Sequence, residues 1–153
     1  MEQRLNPYKA APAMMQAMMA LEKHVHDAGL ERSLFELVKI RASQINGCAF
    51  CLKMHTSDAR AEGETEERIY LLDAWREAPI YTGRERAALA WTEAVTLITQ
   101  GHAADEVYQE ARIYFSEEEM VSLTLLITTI NAWNRIAISF RITPQVTGAC
   151  VAA

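Results

Sequence analysis

Runs of basic residues, linkers of low complexity and internal repeats are all absent from this sequence of 153 residues. Lys and Arg number 15 against 20 Asp and Glu, and the formal net charge is −5. An acidic chain without a basic cluster is poorly suited to nucleic acid, so we exclude that class of partner. Because no linker divides the chain, we expect one domain over residues 1–153, which is long enough to bury its own core.

Signals for membranes and for secretion are equally scarce. We find no apolar stretch of the length of a membrane span, and the Met-rich segment at residues 12–21 contains Gln16 and is not followed by a good cleavage site. The three cysteines are an odd number, which argues against the disulfide framework of a small secreted protein. These observations predict a cytoplasmic protein that does not enter a membrane.

Helical periodicity, in contrast, runs along almost the whole chain. Apolar residues recur three and four positions apart between helix start and stop signals. The first predicted helix carries the apolar stripe Met14, Met18, Leu21 and Val25, and the second begins at Ser33. Further helices are predicted at about 48–61, 66–77, 82–100 and 105–114, and a long apolar helix follows Ser116. The pattern predicts an all-α, single-domain helical bundle.

Three of the predicted helices begin with a capping box, in which Ser or Thr precedes Glu by three residues. The pairs are Ser33–Glu36, Thr82–Glu85 and Ser116–Glu119. Asn46–Gly47 predicts the end of the second helix, because Gly tolerates the left-handed conformation there. The last helix is apolar on many sides, which indicates either subunit contacts or a central buried helix. The tail at residues 145–153 is expected to be frayed or docked on a partner subunit.

One stretch, INGCAFCLKMH from Ile45 to His55, concentrates residues with chemical reactivity. If a helix begins near Cys48, then Cys48 and Cys51 are i and i+3, with Cα atoms about 5 Å apart and within reach of a disulfide. Cys51 and His55 are i and i+4 and share a face. Unpaired N–H groups at a helix start favour an anion, and therefore the reactive thiolate form of cysteine.

The Cys-x-x-Cys-x-x-x-His spacing alone leaves thiol redox chemistry, zinc binding and inert burial open. A structural zinc site usually has two pairs of ligands. Outside the stretch, Cys150 stands alone, and His24, His26 and His102 lack a matching pair motif, although His24 and His26 could contribute one ligand. Covalent haem requires His where Leu52 stands, and no βαβ pattern indicates a thioredoxin fold.

Glu36 lies twelve residues before Cys48, on the preceding predicted helix. If the two helices form a hairpin around Asn46–Gly47, its carboxylate can approach His55 and orient it or accept its proton. The alternative is that Glu36 only completes the capping box of Ser33.

A family resemblance covers most of the chain. It is carried by ELVKIRASQINGCAFCLKMHTSDARAEGETEERIYLL, from Glu36 to Leu72, which resembles the carboxymuconolactone decarboxylase family and most closely its alkylhydroperoxidase D-like branch. The shared pattern is Glu, eleven residues, Cys-x-x-Cys, three residues and His, and all four positions match. INAWNRIAISFR, from Ile130 to Arg141, is similar to the C-terminal helix of that branch.

The resemblance implies an all-α fold in homo-oligomers, commonly trimers or hexamers, and a thiol peroxidase without a bound cofactor or metal. Cys51 would attack the hydroperoxide, Cys48 would resolve it as a Cys48–Cys51 disulfide, and His55 with Glu36 would relay the proton. A dithiol or thioredoxin-like protein would reduce the pair. Phe50 departs from the branch, where a second histidine can stand, so a simpler relay and altered activity are expected.

The same cysteines leave two other functions open. One is a redox sensor or disulfide-exchange protein without enzymatic turnover, and the other is a structural zinc protein. The lactone decarboxylase activity of the family is not implied, because that branch lacks the cysteine pair.

Overall fold

All regular secondary structure in the described residues, 2–145, is helical in this computed structural model. The α-helices are α1 (Pro7–Ala10), α2 (Pro12–His26), α3 (Arg32–Asn46), α4 (Ala49–Ala61), α5 (Glu66–Leu71), α6 (Gly83–Thr96), α7 (Asp105–Tyr114) and α8 (Glu117–Phe140). Short 3₁₀ helices follow α5 at Leu72–Ala74 and α6 at Ile98–Gln100. The predicted all-α fold is confirmed. The expectations for Cys150 and for the tail beyond residue 145 lie outside the described residues.

The centre of the bundle is formed by α3, α6 and α8, which pack against one another. Leu123, Leu126 and Ile127 of α8 are fully buried there. Truncating one such leucine to alanine typically costs about 2–5 kcal/mol of stability, since it leaves a cavity. α4 packs along α3 and α8, which places the Cys-Cys-His stretch against the central helices.

α8 is long and apolar enough, by length and composition alone, to cross a membrane. The expectation that no stretch reaches that length is therefore wrong. Core helices of globular bundles pass the same test, and α8 packs against α2, α3, α4, α6 and α7. It also carries the buried amides Asn131 and Asn134, which suit a protein core in which they find hydrogen-bond partners.

Two of the three predicted capping boxes are confirmed, at Thr82–Glu85 and at Ser116–Glu119. The third is wrong. α3 begins at Arg32, its N-cap Glu31 makes no side-chain capping bond, and Glu36 bonds to another helix instead. The glutamate of a Ser-x-x-Glu pattern can either cap its own helix or bond to another helix, and Glu36 does the latter.

Three other predictions differ from the structure at helix ends and faces. The helix predicted over 66–77 ends at Leu71 in a 3₁₀ turn, and that predicted over 82–100 ends at Thr96. On α2 the buried apolar residues are Met15 and Val25, whereas Met14 is 71% exposed. Glu22 lies on the inner side of α2, where it bonds to residues of other helices. Because this packed face contains a charged residue, a search for apolar periodicity does not identify it.

Candidate functional site

The turn between α3 and α4 places the first cysteine at the start of α4. Gly47 adopts the left-handed conformation, with φ 67°, as Asn46–Gly47 predicted. The Cys48 N–H donates to the Ser43 carbonyl at 3.0 Å, and the Gly47 N–H donates to the Gln44 carbonyl at 3.2 Å. This pair of bonds is a Schellman motif, which leaves Cys48 as the N-cap of α4.

Cys48 and Cys51 are joined by a disulfide across the first turn of α4. Their Cα atoms are 5.4 Å apart, in line with the spacing expected from the sequence. Cys48 Sγ also accepts a hydrogen bond from the Cys51 N–H at 3.3 Å. Both cysteines are 1% exposed, so a reactant can reach them only through an opening between the helices.

His55 and Glu36 form a buried pair between α4 and α3. His55 Nδ1 lies 2.9 Å from Glu36 Oε2, and each residue is only 4% exposed. The hairpin packing inferred from the sequence therefore brings Glu36 to His55. When Glu36 is ionised it can only accept, so His55 must donate from Nδ1, which leaves Nε2 as the free ring nitrogen.

A cavity of about 370 Å³ connects these groups. Cys51, His55 and Glu36 all line it, and Cys48 does not. Most of its wall is apolar, from Phe35, Phe50, Met54, Trp133, Ile136 and Ile142. Phe50, the departure from the family pattern, therefore forms part of the wall and offers no proton there.

Sequence reasoning missed Lys39, which is nearly buried at 3% side-chain exposure and lines the same cavity. Its ammonium pairs with Glu22 of α2 and lies 4.3 Å from the centre of the Phe35 ring. Glu22 also accepts from Trp133 Nε1 at 3.0 Å. The group ties α2, α3 and α8 together. The available signal was the helical spacing, since Lys39 follows Glu36 by three residues on α3.

An amide cluster fixes the end of α3 to α8. Asn46 donates through Nδ2 to Oδ1 of both Asn131 and Asn134, each at 2.9 Å. Asn134 then donates to Ser43 Oγ at 3.0 Å. Because Asn46 and Ser43 belong to the turn that carries Cys48, these bonds hold the disulfide against the central helix.

Within residues 2–145, one group of at least three possible metal ligands has donor atoms within 4.8 Å of one another: Glu36, His55 and Asp58. Neither cysteine belongs to that group, nor does His24, His26 or His102. A four-ligand zinc site around the cysteine pair is thus not formed among the described residues, which do not include Cys150.

Comparison with known proteins agrees with the family suggested by the motif. The model of the carboxymuconolactone decarboxylase family matches residues 12–94, more than half of the chain. An uncharacterized Bacillus subtilis protein, YdfG, is 50% identical over 139 residues, which cover 91% of this chain and 95% of YdfG.

Solved structures extend the likeness to the fold. An Agrobacterium tumefaciens protein of unknown function, described as a candidate antioxidant defence protein AhpD, is 46% identical with a TM-score of 0.93, over 95% of this chain and all of the other. The debrominase Bmp8 shares the fold at 19% identity and a TM-score of 0.78, over 90% of this chain and 74% of Bmp8. This protein therefore belongs to the carboxymuconolactone decarboxylase family and has the alkylhydroperoxidase D-like fold.

Proposed function

We propose that this protein is a thiol-dependent peroxidase that reduces hydroperoxides through Cys48 and Cys51. The observation that carries the proposal is the position of Cys51. It forms a disulfide with Cys48, and it faces a cavity shared with the His55–Glu36 pair. A nucleophile, a proton-carrying group and an orienting carboxylate are thereby collected at one opening.

The first step oxidises Cys51. Its thiolate attacks the outer peroxide oxygen, the O–O bond breaks, and Cys51 becomes a sulfenic acid while the peroxide is reduced to an alcohol. The leaving alkoxide needs a proton, which His55 supplies from Nε2 after taking it from the Cys51 thiol, and Glu36 orients the imidazole through Nδ1. Cys51 is assigned as the attacking residue because it borders the cavity and Cys48 does not.

The second step closes the disulfide. Cys48 attacks the Cys51 sulfenic sulfur, water leaves, and the Cys48–Cys51 bond forms. A small dithiol or thioredoxin-like protein then restores both thiols and is itself oxidised to a disulfide. A cytoplasmic location, where thiols are kept reduced, suits this cycle and is part of the proposal.

Assembly into a homo-oligomer, a trimer or hexamer, is also part of the proposal. Large apolar side chains remain exposed on two helices, among them Met14 and Met19 of α2 and Val121 and Leu125 of α8. Contiguous exposed apolar surface is typical of protein interfaces. Light scattering coupled to size-exclusion chromatography tests the assembly, and a monomer at all concentrations would refute it.

The decisive test is consumption of cumene hydroperoxide by the reduced protein with dithiothreitol. Cys51→Ser should abolish turnover. Without dithiothreitol, Cys48→Ser should consume one peroxide per chain as wild type does, but it should retain a Cys51 sulfenic acid in place of the disulfide. Cys150→Ser is the matched control, which removes the third thiol and should turn over like wild type. Mass spectrometry should find the Cys48–Cys51 disulfide in the oxidised wild type.

Other outcomes assign other functions. Slow peroxide turnover together with rapid disulfide exchange would identify a redox sensor or exchange protein. No peroxide consumption and two unmodified thiols would contradict thiol peroxide chemistry at this pair.

A further inference from the structure

Asp58 is the one member of the Glu36–His55–Asp58 group that has no part in the proposed peroxidase reaction. It follows His55 by three residues on α4, so both side chains lie on the same side of that helix. Glu36 and His55 are buried, whereas Asp58 is exposed at the edge of the group. Donor atoms of all three lie within 4.8 Å of one another.

The buried pair is close enough for both of its members to bind one metal ion. Ligand atoms that lie about 2.0–2.2 Å from a tetrahedral Zn²⁺ are roughly 3.3–3.6 Å apart. His55 Nδ1 and Glu36 Oε2 are 2.9 Å apart and share a hydrogen bond, so an ion would replace the Nδ1 proton, which is released to water, and the gap would widen by about 0.5 Å. The Asp58 carboxylate is exposed, so it can turn towards an ion without disturbing the core. The three residues would supply one nitrogen and two oxygen ligands and leave further positions open.

The charges in the group also favour a divalent cation. Within residues 2–145, neither Glu36 nor Asp58 pairs with a lysine or arginine. The basic residues that line the same cavity are engaged elsewhere, Lys39 with Glu22, Arg32 with Glu62 and His26 with Asp27. Two carboxylates therefore lie close together without a fixed cation, and one of them is buried, where a cation is attracted more strongly than in water.

We propose that Glu36, His55 and Asp58 bind a divalent transition-metal ion, for which Zn²⁺ is the appropriate probe. Imidazole and carboxylate are both zinc ligands. Three protein ligands are enough for a zinc site in which water takes the fourth position. A bound ion would occupy the two groups of the proton relay and so inhibit turnover. The inhibitory role rests on the proposed peroxidase function, whereas the binding site does not.

Binding can be tested without any peroxidase assay. The oxidised protein in the Cys150→Ser background holds Cys48 and Cys51 in their disulfide and has no other thiol, so sulfur cannot provide the site. Zn²⁺ is titrated in competition with a chromophoric chelator. We expect one ion per chain, and at least about a tenfold weaker affinity in Asp58→Asn.

The matched control is Glu67→Gln, which neutralises another exposed carboxylate, on α5. It should bind Zn²⁺ like its parent. Circular dichroism of each variant shows whether the helices are retained. Because Asp58 is exposed, we expect Asp58→Asn to fold normally, so that weak binding reports the loss of a ligand. Equal affinity in Asp58→Asn and its parent, or no stoichiometric binding in the parent, would overturn the site.

Inhibition is tested separately, on protein that is reduced with a phosphine and then freed of it, so that each chain reduces one peroxide and no other reductant is present. Turnover with Zn²⁺ is expressed relative to the metal-free turnover of the same variant. Wild type should lose activity as the site fills, and Asp58→Asn should need at least about tenfold more Zn²⁺ for the same loss. Equal sensitivity of the two would overturn the inhibitory role. Binding without peroxide turnover in any metal-free protein would refute the proposed function and leave the site supported.

Discussion

Two carboxylates, the buried Glu36 and the partly buried Glu93, receive very different sets of hydrogen bonds. Glu36 has one side-chain partner, His55, which can release its proton. Glu93 of α6 is bound by Trp75 Nε1 at 2.8 Å, Arg41 Nε at 2.9 Å and Arg76 Nη1 at 2.5 Å. Arginine and indole donors keep their protons at any physiological pH. The comparison separates the carboxylate of the proposed proton relay from one that holds helices together.

The pKa of Glu93 reflects this difference. Burial by itself raises the pKa of the carboxyl group, but the bonds from Trp75, Arg76 and Arg41 outweigh burial and hold the pKa below its usual range. The ionised form is therefore the one that the fold stabilises. This network joins α3, α6 and the residues that follow the 3₁₀ helix Leu72–Ala74, and none of its members lines the cavity of Glu36.

The largest expected effect is that of Glu36→Gln on catalysis. The substitution keeps the size of the side chain and removes the charge that orients His55. We expect kcat for hydroperoxide reduction to fall by about 100-fold or more, as is typical for loss of an acid–base group. Steady-state kinetics measure the change, and near-normal kcat in a folded variant would contradict the relay.

Glu93→Gln should show the reverse pattern. The amide cannot neutralise Arg41 and Arg76, so the free energy of unfolding should fall by about 2 kcal/mol. Urea denaturation followed by circular dichroism gives this value, and kcat should stay close to that of wild type. A strong loss of kcat with unchanged stability would erase the distinction between the two carboxylates.

The stabilising effect of Glu93 should depend on pH with a defined sign. Because its folded-state pKa is lowered, its contribution is present above the unfolded-state pKa, about 4.3, and is lost as pH falls towards the folded-state value. The difference in unfolding free energy between wild type and Glu93→Gln should therefore shrink below that pH. Urea denaturation near neutrality and in acid tests this, and a difference that grows in acid would reverse the sign.

Lys39→Met should have the smallest effect on stability and on kcat. It tests whether Lys39 supports the proposed reaction, as Glu36 does, or only the packing of helices, as Glu93 does. Glu22, the partner left behind, is 26% exposed in its side chain, so water can solvate it. We expect a loss of about 1 kcal/mol in unfolding free energy and little change in kcat. Thermal denaturation and kinetics measure the two quantities. A large loss of kcat would place Lys39 with Glu36 in the chemistry.

Local signals explain which features of the molecule were predictable. Some features depend only on residues within one or two helical turns of each other, and such local patterns can be read from the sequence. They are α7 at Asp105–Tyr114, the left-handed Gly47 and the caps at Thr82 and Ser116. The Cys48–Cys51–His55 spacing is likewise contained in a single helix.

Contacts between residues of different helices were much harder to predict from the sequence. Glu36 had to be assigned either to Ser33, its neighbour in sequence, or to His55, nineteen residues away. Lys39 and Glu22 are polar residues on helix faces that an apolar pattern does not reveal. The approach of Asp58 to Glu36 depends on how α3 and α4 pack. Only the tertiary arrangement selects among such pairings.

The short span of the disulfide has a consequence for the conformational entropy of the chain. It links residues only three apart in sequence, so closing it restricts the unfolded chain little, by about 2 kcal/mol in the loop-closure treatment, against nearly 5 kcal/mol for a 100-residue loop. The helices on either side are held by their own packing and by the amide cluster at Asn46. The sulfur bond can therefore be broken and remade, as the proposed peroxidase cycle requires, while the bundle around it stays folded.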